Sequence, residues 1–173
     1  MTDNTATRSA RTLTELRVWM KTNIFHRFVT FTFNDLVSEN ACRERLKHWD
    51  AHICSKILGR QWSKMRDARP FAFYGLEKQD RNPHWHGVIK LCSTDTKSLE
   101  RICSDFDDVA ELAWKKLVPA GTMDLKKIDS RASSDRFVDY VTKSVTFEKN
   151  FAQFIVPDEF SPQYPPITLV KAA

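Results

Sequence analysis

Phe71-Ala72-Phe73-Tyr74-Gly75-Leu76-Glu77 and His84-Trp85-His86-Gly87-Val88-Ile89-Lys90-Leu91 decide the fold of this chain. The first run is apolar on both faces and reads as a central strand. Between the two lies Lys78-Gln79-Asp80-Arg81-Asn82-Pro83, a turn-rich segment that predicts an antiparallel hairpin. Side chains alternate along a strand, so His84 and His86 share one face while Trp85 enters the layer behind. With the turn at 78–83, Glu77 falls opposite His84 and Gly75 opposite His86. Facing residues in such a ladder stand about 5 Å apart at Cβ. Two imidazoles and a carboxylate at that separation make three protein ligands for a divalent cation, with further positions open to water or a substrate oxygen. Gly75 leaves an open floor beside His86. The alternative for Glu77 is a solvated carboxylate at a hairpin end.

Working outward, Val29-Thr30-Phe31-Thr32-Phe33-Asn34 alternates strictly and predicts a first strand. Its apolar face is Val29, Phe31 and Phe33; its polar face is Thr30, Thr32 and Asn34. A capping box at Thr12 and Glu15 predicts a short helix through about Lys21. Leu46, Trp49, Ile53 and Ile57 mark a helix from about Ser38 to Leu58, stopped by Gly59. Residues 96–118 form a second long helix, with Leu99, Ile102, Cys103, Phe106, Ala110, Ala113 and Leu117 on one stripe. Thr122 to Asp129 reads as a fourth strand. Ser133 and Ser134 open a last helix through about Phe147, whose Phe137, Val141 and Val145 face the sheet. The order β-α-β-β-α-β-α predicts an α+β fold of ferredoxin or RRM type. It has an antiparallel central sheet, two long helices on one face and the last helix near the other. The expected organisation is a disordered segment 1–10, one domain over 11–150, and an irregular proline-rich tail over 151–173.

Composition narrows the partners. The chain of 173 residues carries a net charge of +5 with a pI near 9.1. The charge is uneven: residues 43–69 hold eight Lys/Arg against three Asp/Glu, and residues 95–111 hold two against six. A concentrated basic face suits a polyanion such as nucleic acid, or is simply a solvated helix. No apolar run is long enough for a membrane span, and no membrane partner is expected. Cys42, Cys54, Cys92 and Cys103 lack paired spacing and are expected to be reduced thiols.

Tyr140, in Asp139-Tyr140-Val141-Thr142-Lys143, lies at the edge of the last helix with Lys143 three residues on. By itself a helical tyrosine reads as packing or as a nucleophile. Tyr74, among Ala72 and Leu76, reads as core.

Taken together, three stretches carry a resemblance. Phe31-Thr32-Phe33-Asn34-Asp35, His84-Trp85-His86-Gly87 and Tyr140-Val141-Thr142-Lys143 resemble, in that order, the three motifs of the rolling-circle replication initiators (Rep proteins) of the HUH endonuclease superfamily. The likeness spans about residues 28–147 and is to the single-tyrosine branch. It implies that His84, His86 and Glu77 hold a divalent metal, Mg or Mn. It implies that Tyr140 attacks a phosphodiester, leaving a 5′-phosphotyrosyl link and a free 3′-OH that can rejoin or prime synthesis. Lys143 would assist the tyrosine or hold the phosphate. An unassisted tyrosine is ionised to only about 0.1% at pH 7.

The implied substrate is single-stranded or locally melted origin DNA, nicked at a specific sequence to initiate rolling-circle replication. Asn34, Arg60, Lys64, Arg66, Arg69 and Arg136 are the candidates for strand contacts. Arg43, Arg45 and Lys47 belong to the helix expected on the other sheet face. No Gly-x-x-x-x-Gly-Lys loop exists among the four glycines. Unwinding is therefore expected from a separate helicase, or from a helicase domain of a longer parent, with synthesis by a host polymerase. The expected location is cytoplasmic for a bacterial or archaeal source and nuclear for a eukaryotic virus. Three other readings stand beside this one. They are a single-tyrosine HUH transposase, a non-catalytic RRM-like nucleic-acid-binding module, and a structural zinc site from His84, His86, Cys92 and Cys103.

Overall fold

The alternation in the first strand and the hairpin builds a sheet with two different faces. The computed structural model describes residues 3–35, 37–77, 83–93, 96–143, 154–156 and 160. Its elements are α1 (Asp3–Lys21), β1 (Arg27–Thr32), α2 (Glu39–Leu58), β2 (Phe71–Glu77), β3 (His84–Lys90), α3 (Thr96–Leu117), β4 (Met123–Lys127), α4 (Arg131–Val141) and β5 (Phe154–Ile155). The strands form one antiparallel sheet in the order β4-β1-β3-β2-β5. The fold is thus α+β, with β1 and β3 central.

Val29 and Phe31 of β1, Tyr74 and Leu76 of β2, and Trp85 and Ile89 of β3 join Phe33 in one core with α2 and α3. Trp49 and Trp114 close on Phe31 from the two helices, with ring centroids at 4.9 and 4.5 Å. The indole of Trp49 donates to the Ala110 carbonyl at 2.9 Å, so its one polar atom is satisfied inside the core. Local chemistry bounds α2 as the sequence predicts. The Ser38 hydroxyl accepts from the Ala41 N–H, and Gly59 follows the last turn at φ 80°, where a side chain would strain the backbone.

The opposite face is only partly covered. Phe28, Phe73 and Val88 form a second core with Met20 and Phe25 from α1 and the following loop, and with Val138 and Val141 of α4. Trp19 of α1 packs against Phe71, at the end of β2 that pairs with Lys90. The other end of the hairpin is where Glu77 pairs with His84. Burial of each such apolar side chain is worth about 1.5–3 kcal/mol. The half-exposed Lys21–Asp139 ion pair between α1 and α4 contributes at most about 1 kcal/mol. The apolar contacts therefore set the seat of α4.

Several boundaries differ from the expectation. α1 begins at Asp3, so residues 3–10 are helical rather than disordered, and Thr12 lies inside the helix. β1 runs two residues earlier and ends at Thr32. Asn34 turns the chain at φ 56°, a left-handed conformation that asparagine tolerates. α4 is capped by Ser130, whose hydroxyl accepts from the Ser133 N–H, and it ends at Val141, so Lys143 follows the helix instead of lying within it. Val138, not Phe137, is its fully buried residue beside Val141. Phe154 and Ile155, expected in an irregular tail, add a fifth strand beside β2. The turn at 78–82, the expected continuation of α4 with Val145 to Phe147, and the prolines from 157 onward lie outside the described residues.

Candidate active site

The hairpin register is the one the sequence predicts: Glu77 faces His84 and Gly75 faces His86. One nitrogen from each ring and one Glu77 oxygen lie within 4.8 Å of one another. His86 Nε2 is 2.8 Å from Glu77 Oε2. That contact lacks hydrogen-bond alignment: His86 Nε2 and His84 Nδ1 are both buried without a hydrogen-bond partner among the described residues. Lone pairs that close repel unless a proton or a cation lies between them. Neighbouring ligands on an octahedral ion with bonds of about 2.1 Å stand about 3 Å apart. The His86–Glu77 pair therefore has the spacing of neighbouring ligands, and with His84 it makes a possible group for a divalent cation, with two orphaned ring nitrogens that such an ion would satisfy. Cys92 and Cys103 take no part in this group.

The third and fourth contributions come from β1 and α4. β1 pairs with β3 so that Thr30 faces His86, and the Thr30 hydroxyl lies 3.0 Å from His86 Nδ1. With the proton on Nδ1 donated to Thr30, the ring presents its Nε2 lone pair toward Glu77. Burial lowers the pKa of His86, and the opposing pull of Glu77 does not restore it; His84 and Lys143 add to the lowering. The ring is therefore neutral at pH 7, as a ligand must be. For Glu77, burial works toward a higher pKa, but Lys143 and then His86 outweigh it and hold the carboxyl below its usual range. It is an anion at neutral pH.

Tyr140 is brought to the same carboxylate. Its hydroxyl donates to Glu77 Oε2 over 3.4 Å, and its ring meets the His86 ring edge-on at 5.0 Å. Lys143 Nζ lies 3.1 Å from Glu77 Oε1 and 3.8 Å above the Tyr140 ring. Burial acts against the charge on Lys143, but Glu77 and Tyr140 together outweigh it and raise its pKa, so it stays protonated. Tyr140 remains 40% exposed, which leaves its hydroxyl reachable by a large substrate. Phe28 supports the group from below, stacked on Phe137 at 4.4 Å and parallel to His86 at 5.8 Å.

The expected strand contacts fare differently. Arg60, Lys64 and Arg66 are exposed in the turns between α2 and β2. They precede Phe71, at the end of β2 away from Glu77, about 20 Å along the strand. Arg69 is not a surface residue: it is 9% exposed, bonds Asp50 at 3.0 Å and lies over Trp62. A buried, paired guanidinium has no reach to a DNA strand. Asn34 donates its side-chain N–H to the Ala120 carbonyl at 2.9 Å and fixes the turn after β1. Arg136 is exposed and borders a cleft that also contains His86 and Tyr140. Thr30 and Phe28 are the residues in contact with His86 that sequence reasoning missed as part of the group. The polar alternation of β1 was visible, but not which strand it pairs with.

Comparison of the chain with protein-family models, with curated proteins and with solved structures found no match. No described helix is long and apolar enough to cross a membrane.

Proposed function

We propose that this protein is a metal-dependent, sequence-specific nickase and ligase of single-stranded DNA, acting through a 5′-phosphotyrosine on Tyr140, as its resemblance to HUH Rep proteins implies. One observation carries the reading. The only carboxylate of the two-histidine group also contacts the Tyr140 hydroxyl and the Lys143 ammonium. A cation site, a nucleophile and a positive charge thus converge on Glu77.

His84, His86 and Glu77 would hold a divalent ion such as Mg or Mn, which when bound supplies Lewis-acid stabilisation of charge on a phosphate. The chain's own groups account for the rest. The phenol oxygen of Tyr140 forms a bond to phosphorus as the bond to the 3′-oxygen breaks. The phenolic proton goes to water and the 3′-oxygen takes one up. Lys143 offsets the negative charge on the phosphate and on the tyrosine oxygen. A phosphodiester is exchanged for a phosphotyrosyl ester, so the 3′-OH can reverse the step without a nucleotide cofactor. An RRM-like module is supported less well. It needs an accessible aromatic strand face, whereas Phe73 is fully buried against Phe154 and Phe71 packs under Trp19 and Phe25.

The test is incubation with labelled single-stranded DNA, including a random-sequence pool, and Mn²⁺ or Mg²⁺, followed by denaturing electrophoresis. Wild type is expected to form a covalent adduct that Tyr140→Phe does not form. His86→Ala is expected to bind DNA yet lose the adduct. An adduct on Tyr140→Phe, or none on wild type with any strand, overturns the reading.

A further inference from the structure

A half-open cleft of about 580 Å³ begins at His86 and Tyr140 and runs away from Glu77 across the sheet. Its floor is Phe28 and Thr30 of β1, one wall is Phe137 of α4, and its rim carries Lys126 of β4 and Arg136 of α4. From β3 to β4 the strand order is β3-β1-β4, so Lys126 stands two strand spacings from His86, about 10 Å. The volume is that of a small-molecule site. Its chemistry is divided: aromatic surface at the bottom, cations at the mouth. Arg136 spends one N–H on Ser133 and Lys126 faces Asp124 at 3.4 Å, both at exposed positions where such contacts are weak and exchangeable. Neither cation serves the Glu77 group, and no acidic side chain lines the cleft.

We infer that this cleft binds the nucleoside next to the scissile phosphate, with its base against the partly exposed Phe137, which the buried Phe28 backs, and its outer phosphate between Lys126 and Arg136. The placement beside the scissile phosphate rests on the proposed role of Tyr140; the capture of a base and a phosphate rests on the cleft alone. An apolar floor with a cationic rim suits one nucleotide of a single strand, whose base is free to leave its neighbours. A duplex presents no such base. The cleft would then be where the protein selects which base adjoins the cut.

Fluorescence anisotropy without added metal tests this on the full chain, using labelled dT10 and the same decamer with every base removed. Lys126→Ala/Arg136→Ala is expected to weaken dT10 binding about tenfold and to flatten its salt dependence. Arg60→Ala/Lys64→Ala, at the far end of the sheet, is expected to change it less than twofold. Wild type is expected to bind the abasic decamer at least fivefold more weakly than dT10, and Phe137→Leu to narrow that gap. Equal losses from the two charge pairs, or equal affinity of wild type for dT10 and the abasic strand, overturn the inference. These readouts need no cleavage, so a failure of the nickase reading leaves them interpretable on their own.

Discussion

Gly75 sits under the last turn of α4, and a Cβ built on it would collide with the carbonyl oxygen of Val141. The same glycine faces His86 across the hairpin. One missing side chain thus lets the helix bearing Tyr140 come down onto the strand pair bearing the metal-ligand candidates. Because the obstacle is backbone, it cannot step aside as a side-chain tip would. Gly75→Ala is expected to cost about 1–3 kcal/mol of stability by overpacking, read from urea unfolding. It is also expected to lower adduct formation at least tenfold, as Tyr140 is displaced. Wild-type stability and activity in Gly75→Ala would mean that α4 sits elsewhere.

Thr30 tests the outer support of His86. Thr30→Val keeps the shape and removes the hydroxyl 3.0 Å from Nδ1. Losing a partner of this kind is expected to weaken metal binding about 10–100-fold, measured by Mn²⁺ titration calorimetry. Unchanged affinity would exclude His86 as a ligand oriented by Thr30.

Lys143 contacts both Glu77 and the Tyr140 ring. Removing it takes away the charge proposed to assist Tyr140 while freeing the carboxylate. Lys143→Gln is therefore expected to slow single-turnover adduct formation about 10–100-fold without weakening Mn²⁺ binding, and Lys143→Arg to recover part of the rate. A large loss of metal affinity with no change in rate would reverse the assignment.

Asp50 gives a pH dependence remote from the site. It is wholly buried on α2, and burial outweighs Arg69 and Cys54 to push its carboxyl up to about 6. The folded value then exceeds the unfolded one of 3.8. Above both, the folded state carries the full cost of a buried charge; below both, the cost is gone. The Asp50 contribution to stability should therefore rise as pH falls from 7 to 4, by about 3 kcal/mol at most. Urea unfolding of wild type against Asp50→Asn at pH 4.5 and 7 checks this. The expected outcome is that wild type gains on the variant with acidification, and parallel profiles would contradict it.

The hairpin and its site were legible because strand alternation is rigid: once Phe71–Glu77 and His84–Lys90 pair, Glu77 and both histidines must share a face. The caps of α2 were legible because Ser38 and Gly59 act locally. Thr30 was not, since choosing β3 as the partner of β1 is a long-range decision. Nor was β5, where two residues gain their conformation only from the edge of β2. Arg69 misled because charge was read as exposure. Asp50 held the corrective signal: it sits on the apolar face of α2 with Leu46, Ile53 and Cys54, all buried. A carboxylate in that stripe calls for a buried cation.

The central claim is that Tyr140 takes the DNA onto itself. The most direct measurement is proteolysis of the DNA adduct formed with Mn²⁺, followed by mass spectrometry of the nucleotide-bearing peptide. The modification should fall on Tyr140, with the phosphate joined at the 5′ end of the DNA fragment. Attachment to Tyr74 or Tyr164, to a serine, or through a 3′-phosphate would contradict the account.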